Sequence, residues 1–91
     1  MKVESIILKE NQLTEYVVNN FEEGAIVEIS YNRVFVPGKI VHVYDDATVT
    51  IQLMGELLNQ RVDIDFNEVK HELLEIVYTF KDKSVTLILE D

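Results

Sequence analysis

The sequence predicts a mainly β fold, a small barrel with one short N-terminal helix and an added C-terminal hairpin. The prediction rests on period-two alternation of apolar and polar residues, clearest in "TVTIQLM" at 48–54, and on turn-forming residues that punctuate the chain at short intervals. Four-residue apolar spacing, the mark of a helix, occurs only near the N-terminus.

The elements follow in order. "KVESIILK" at 2–9 is rich in β-branched and apolar residues and too short for a core helix, so it reads as a strand. In "NQLTEYVVNNFEEG", Leu13, Val17 and Phe21 share one helical face, Asn11 can cap, and Gly24 follows the end. This predicts a helix over 11–21, although Val17, Val18, Asn19 and Asn20 are weak helix formers. "AIVEISY" is a half-buried strand with Ala25, Val27, Ile29 and Tyr31 on one side. Asn32 turns the chain into "VFVPGKIVHVY", where Pro37 and Gly38 predict a sheet edge or a bulge. Here His42 shares a face with Ile40 and Tyr44. Asp45, Asp46 and Ala47 make the next turn, and Val49, Ile51 and Leu53 point inward from the strand after it.

Gly55 and Asn59 bracket a loop leading to "QRVDIDF", in which Val62, Ile64 and Phe66 alternate with Arg61, Asp63 and Asp65. "NEVKHELL" predicts one helical turn capped by Asn67. "EIVYTF", the turn "KDKS" and "VTLILE" form a terminal hairpin whose strands are apolar on both faces. A strand of that kind is usually covered on both sides. "VESIILK" is expected to pair with this hairpin. The remaining face calls either for the helix at 11–21 or for a second copy of the chain, a homodimer through the outer sheet.

At 91 residues the chain is expected to be a single domain, 1–91, with a barrel core at about 21–73, an N-terminal strand and helix at 2–21, and the hairpin at 75–90. With no cysteine there is neither a disulfide framework nor a thiolate zinc site. No window approaches a membrane span, and "MKVESIILKENQ" lacks the features of an export signal, so the expected compartment is the cytoplasm. Seventeen acidic against eight basic side chains give a net charge of −9. A polyanion gains nothing from counterion release on meeting another polyanion, so the composition disfavours nucleic acid. The charge reads as a solubilising surface or, more sharply, as an acidic face that imitates nucleic acid or steers the domain toward a basic protein.

Catalytic constellations are scarce. Acyl transfer would need Ser5, Ser30 or Ser84 beside His42 or His71, and none of these serines stands in a nucleophile elbow. Asp63 with Asp65, and Asp45 with Asp46, are carboxylate pairs, but neither spacing matches a calcium loop. The isolated glycines form no phosphate-binding loop. The expectation is no enzyme, no cofactor and no metal.

"FEEGAIVEISYNRVFVPGKIVHVYDDATVTIQL" followed by "RVDIDFNEVK" resembles the strand series of a small SH3-like barrel of the Tudor and KOW type, and is similar to short bacterial proteins with a KOW-like core. The resemblance covers 21 to about 73. It implies a Gly-led strand, a bent strand, an Asp-rich turn, and an alternating strand running into a turn of helix. Tudor domains hold methylated cations in an aromatic cage. By that resemblance Tyr31 and Phe35 would supply part of one, but "MGELLNQ" offers no ring to complete it. KOW domains meet RNA through basic loops, whereas the loops here read "DDA" and "GELLNQ".

The favoured expectation is therefore a non-enzymatic protein-interaction module, an acidic small β-barrel. Its candidate contacts are Tyr31, Arg33, Phe35, Asp45, Asp46, Glu56 and Asn59, and its sharper form is a bacterial or phage-encoded inhibitor or regulator. The alternative is a nucleic-acid-binding small barrel that gathers Arg33, Lys39 and Arg61 on one face, with Tyr31 and Phe35 stacking on bases.

Overall fold

The computed structural model describes residues 2–31, 34–54, 60–69 and 71–90. In chain order the elements are β1 (Lys2–Lys9), α1 (Glu10–Asn20), β2 (Ile26–Tyr31), β3 (Val34–Val43), β4 (Thr48–Leu53), β5 (Arg61–Asp65), α2 (Phe66–Val69), β6 (Leu73–Phe80) and β7 (Lys83–Glu90). The fold is mainly β. All strands join one seven-stranded sheet in the order β1-β7-β6-β2-β3-β4-β5.

The sheet is open, which corrects the expected SH3-like barrel. Closing a barrel over 21–73 would require β5 to return to β2, but β2 already pairs with β3 on one side and β6 on the other. The C-terminal hairpin is therefore not an appendage. It lies inside the sheet between β2 and β1, and carries β1 on its far side, in parallel register from Lys2↔Lys83 to Lys9↔Glu90.

One face of the sheet forms the core. Leu8, Val85, Leu87, Ile76, Tyr78, Val27, Ile29, Val36, Ile40, Val49, Ile51 and Ile64 are buried there. Helix α1 presses Leu13 and Val17 into this face, both fully buried, as the four-residue spacing predicts. Each such side chain contributes about 1.5–3 kcal/mol by leaving water, which offsets the weak helix formers around Val17. The helix touches β1 at one end of the sheet and α2 at the other, and α2 in turn packs on β4 and β5. So α1, rather than a strand pairing, bridges the two edges. Its end is held by aromatic packing: Phe21 stacks on Tyr78 at 4.9 Å and meets Phe66 edge-on at 6.0 Å.

Local details depart from sequence expectation in ways that matter later. Lys9, not Asn11, is the N-cap, and its N–H donates to Gln12 Oε1 at 3.0 Å. Asp65, not Asn67, caps α2, its Oδ1 accepting the Asn67 N–H at 2.9 Å. Pro37 lies in a strand paired on both sides rather than at an edge or bulge. It is tolerated because the β3–β4 register begins at Gly38↔Leu53. The Pro37 carbonyl accepts the Met54 N–H at 3.1 Å, and the missing N–H ends the ladder there. The bulge falls between Ile40 and His42. It separates their faces: Ile40 is buried, while His42 and Tyr44 are exposed.

Candidate functional site

The turn from Tyr44 to Thr48 is fixed by a dense set of hydrogen bonds. Tyr44 N–H donates to Thr48 O at 2.9 Å and Ala47 N–H to Tyr44 O at 3.1 Å. Asp46 Oδ1 accepts the Thr48 N–H at 3.0 Å, the short local bond that makes aspartate a turn former. Helix α2 clamps the turn from below, since Asn67 Nδ2 donates to Asp46 O at 2.8 Å and Phe66 N–H to Ala47 O at 3.2 Å. Ala47 takes a φ of 68° and is buried. Asp45 and Asp46 are thereby presented on a rigid loop beside α1.

Between that loop and the solvent side of α1 run two adjoining hollows. One, of about 350 Å³, is lined by Thr14, Glu15, Val18 and Asn19 of α1 and by Asp45, Asp46, Ala47 and Asn67. The other, of about 470 Å³, is lined by Val18, Phe21, Glu22, Glu23, Val43, Tyr44, Asp45 and Phe80. They share Val18 and Asp45. No lysine or arginine lines either hollow among the described residues. Val18 and Tyr44 are exposed apolar surface within this acidic groove. At its rim His42 Nδ1 lies 3.2 Å from Glu23 Oε2, and the His42 ring meets Tyr44 edge-on at 4.4 Å.

Of the candidate contacts read from the sequence, Asp45 and Asp46 fall in this groove. Phe35 does not. It is exposed near the opposite end of β3, opposite Ser30 in register, and eight strand residues put it roughly 26 Å from Val43. Phe35 and the Asp45–Asp46 turn therefore do not share one site. The Tyr31 side chain, Arg33, Glu56 and Asn59 lie outside the described residues. On the outer face, Lys39, Gln52 and Arg61 stand in one row across β3, β4 and β5, with Arg61 Nε donating to Gln52 Oε1 at 3.2 Å. Arg61 and Lys39 are thus neighbours of one glutamine rather than of each other.

Three of the remaining polar candidates, Asp63, Ser84 and His71, have local partners. Asp63 accepts the Thr50 hydroxyl at 2.6 Å, and Ser84 accepts that of Thr79 at 3.3 Å. His71 Nδ1 lies 2.9 Å from Glu10 Oε2. Among the described residues no serine hydrogen-bonds a histidine, and no group of three or more potential metal ligands gathers.

Sequence reading did not single out Glu15, Val18, Glu22, Glu23 or Tyr44 as site residues. The available signal was Val18, an apolar residue off the Leu13–Val17–Phe21 stripe and hence turned toward solvent.

The family model described as an uncharacterized protein conserved in archaea, DUF2097, matches residues 4–89. The chain belongs to this family. No curated protein and no solved structure matches it. This overturns the Tudor and KOW resemblance and the bacterial origin attached to it. The motifs behind that resemblance, a bent strand, an Asp-rich turn and an alternating strand, describe how antiparallel strands connect in general. The DUF2097 match runs from β1 to β7, so the family pattern includes the N-terminal strand and C-terminal hairpin that the resemblance left out. No described helix is long and apolar enough to cross a membrane.

Proposed function

We propose that this archaeal-family protein is a non-enzymatic interaction module that receives a basic, partly apolar segment of another protein in the groove between α1 and the Tyr44–Thr48 turn. The observation that carries the reading is the pair of hollows joined at Val18 and Asp45, whose charged lining is entirely acidic. A lysine- or arginine-rich segment with one apolar side chain matches this chemistry. Its cations meet Glu15, Glu22 and Asp45, and its apolar group covers Val18 and Tyr44. Asp46 is less available, because one of its carboxylate oxygens already closes the turn. The surplus of negative charge over the whole chain steers such a partner inward and raises its association rate. In this role the protein is a regulator of a basic partner, competing for surface that partner would otherwise offer to nucleic acid.

The test is fluorescence anisotropy with a labelled Lys/Arg-rich peptide carrying a central leucine, compared with its acidic counterpart and with single-stranded RNA. The basic peptide is expected to bind, to weaken as salt rises, and to weaken about tenfold or more, roughly 1.4 kcal/mol, in Asp45→Lys. Binding that ignores both salt and Asp45→Lys would overturn the reading. So would RNA binding lost in Lys39→Glu, which would move function to the outer face.

A further inference from the structure

The two edges of the sheet are protected very differently. At one edge, β5 has five residues and turns Arg61, Asp63 and Asp65 to the outer face, the short, charged form that discourages strand addition. At the other, β1 has eight residues in unbroken register with β7, without proline or bulge. Its outer face exposes Val3 at 69% and Ile7 at 63%, and Ile7 lies beside the exposed Ile88.

The main chain of β1 shows what this edge can accept. Lys2 N–H donates to Asp82 O at 2.7 Å, which fixes the alternation. The even residues of β1 bond to β7, and the N–H and C=O groups of Val3, Ser5 and Ile7 point to the open side. Among the described residues, no other element pairs with β1 on that side. We propose that a second copy of this chain pairs there, β1 against β1 in antiparallel register about a twofold axis at Ser5.

Several features select this occupant and register. A register centred on a residue, whether odd or even, brings open groups face to face, and one centred on Ser5 also opposes the two exposed apolar residues of the strand. Centred on Ser5, it sets Val3 opposite Ile7 of the partner, Ser5 opposite Ser5 of the partner, and Ile7 opposite Val3 of the partner. Each end of the junction then gains an apolar row continued by Ile88. Charge also fits. The chain carries −9 overall, which opposes self-association elsewhere, but β1 itself carries two lysines, Lys2 and Lys9, against one carboxylate, Glu4. Glu4, the carboxylate that approaches its own copy across the axis, lies 3.8 Å from both Lys2 Nζ and Lys83 Nζ. The pairing is isologous and closes with two copies, so it yields a dimer and not a fibre. It leaves the acidic groove untouched and presents two of them per assembly.

The absence of native cysteine makes the test direct. Directly opposed residues in a hydrogen-bonded antiparallel pair have Cα atoms about 5.5 Å apart, within the roughly 4.4–6.8 Å span of a disulfide. In the full chain, Ser5→Cys is expected to oxidise to a disulfide-linked dimer. Val3→Cys, whose copies would lie about 14 Å apart, is expected not to. Sedimentation equilibrium should show a wild-type dimer, and Ser5→Pro should give a monomer with unchanged far-UV circular dichroism, because the lost N–H faces the open side. If Ser5→Pro fails to fold, the cysteine pair still decides. A wild type that stays monomeric across the concentration series, a dimer that a folded Ser5→Pro leaves intact, or Val3→Cys linking as readily as Ser5→Cys would each overturn the proposal.

Discussion

Gly38 lies directly under Ile51 across the β3–β4 pair: a Cβ built on Gly38 would collide with Ile51 Cγ2 and stand 2.7 Å from the Gln52 carbonyl oxygen. Ile51 is fully buried and a backbone carbonyl cannot swing aside, so the strands must part to admit even a methyl group. Gly38→Ala is expected to destabilise the fold by about 1–3 kcal/mol, read as a lower urea midpoint with an unchanged slope. An equally stable variant would mean that β3 and β4 are farther apart than described.

Tyr78 joins the end of α1 to the sheet. Its hydroxyl donates to Asn20 O and accepts the Glu22 N–H, both at 3.2 Å. Burial raises the Tyr78 phenol above its ordinary value of 10.0, and burial followed by the charge of Glu4 raises Tyr16 likewise. The folded state thus holds these protons more tightly than the unfolded chain. The stabilisation is complete below the unfolded phenol's pKa and is lost as pH rises through the higher folded value. Melting temperature should fall above about pH 10. Tyr78→Phe should cost about 1 kcal/mol near neutrality through its two lost hydrogen bonds and flatten the alkaline fall. A fall of unchanged steepness in the Tyr16→Phe, Tyr78→Phe double variant would assign it to other groups.

Asp45 and Asp46 are neighbours with different tasks. Asp46→Ala removes the bond to the Thr48 N–H and should lower stability by about 1 kcal/mol. Asp45→Ala should leave thermal stability within about 0.5 kcal/mol of the parent, as exposed substitutions away from such features do, while weakening the basic peptide. The paired thermal melts and anisotropy titrations separate the roles. Identical stability losses in both variants would make Asp45 part of the turn as well.

The local elements were legible in the sequence because their causes are local. Alternation placed β4 and β5, the spacing of Leu13, Val17 and Phe21 gave α1 its buried face, and Asp45–Ala47 announced a turn. The pairing of "VESIILK" with the C-terminal hairpin also followed from strand composition. Misreadings arose where a neighbour in space overruled a neighbour in sequence. Pro37 looked like an edge residue, but the end of the β4 ladder accommodates it inside the sheet. His42 looked like a face-mate of Ile40 until a bulge turned it outward.

Sequence by itself determined a mainly β chain with one amphipathic helix, an acidic surface, and no cysteine chemistry. Periodicity, composition and charge are properties of the chain that need no partner. Only the tertiary structure decided that the sheet stays open, that α1 bridges its ends, and that Val18, Tyr44, Asp45, Glu15, Glu22 and Glu23 line one groove. Strand order depends on which edges compete for β2, and β6 occupies the side that barrel closure would have required. No local pattern in the chain encodes that competition, and the groove exists only because of its result.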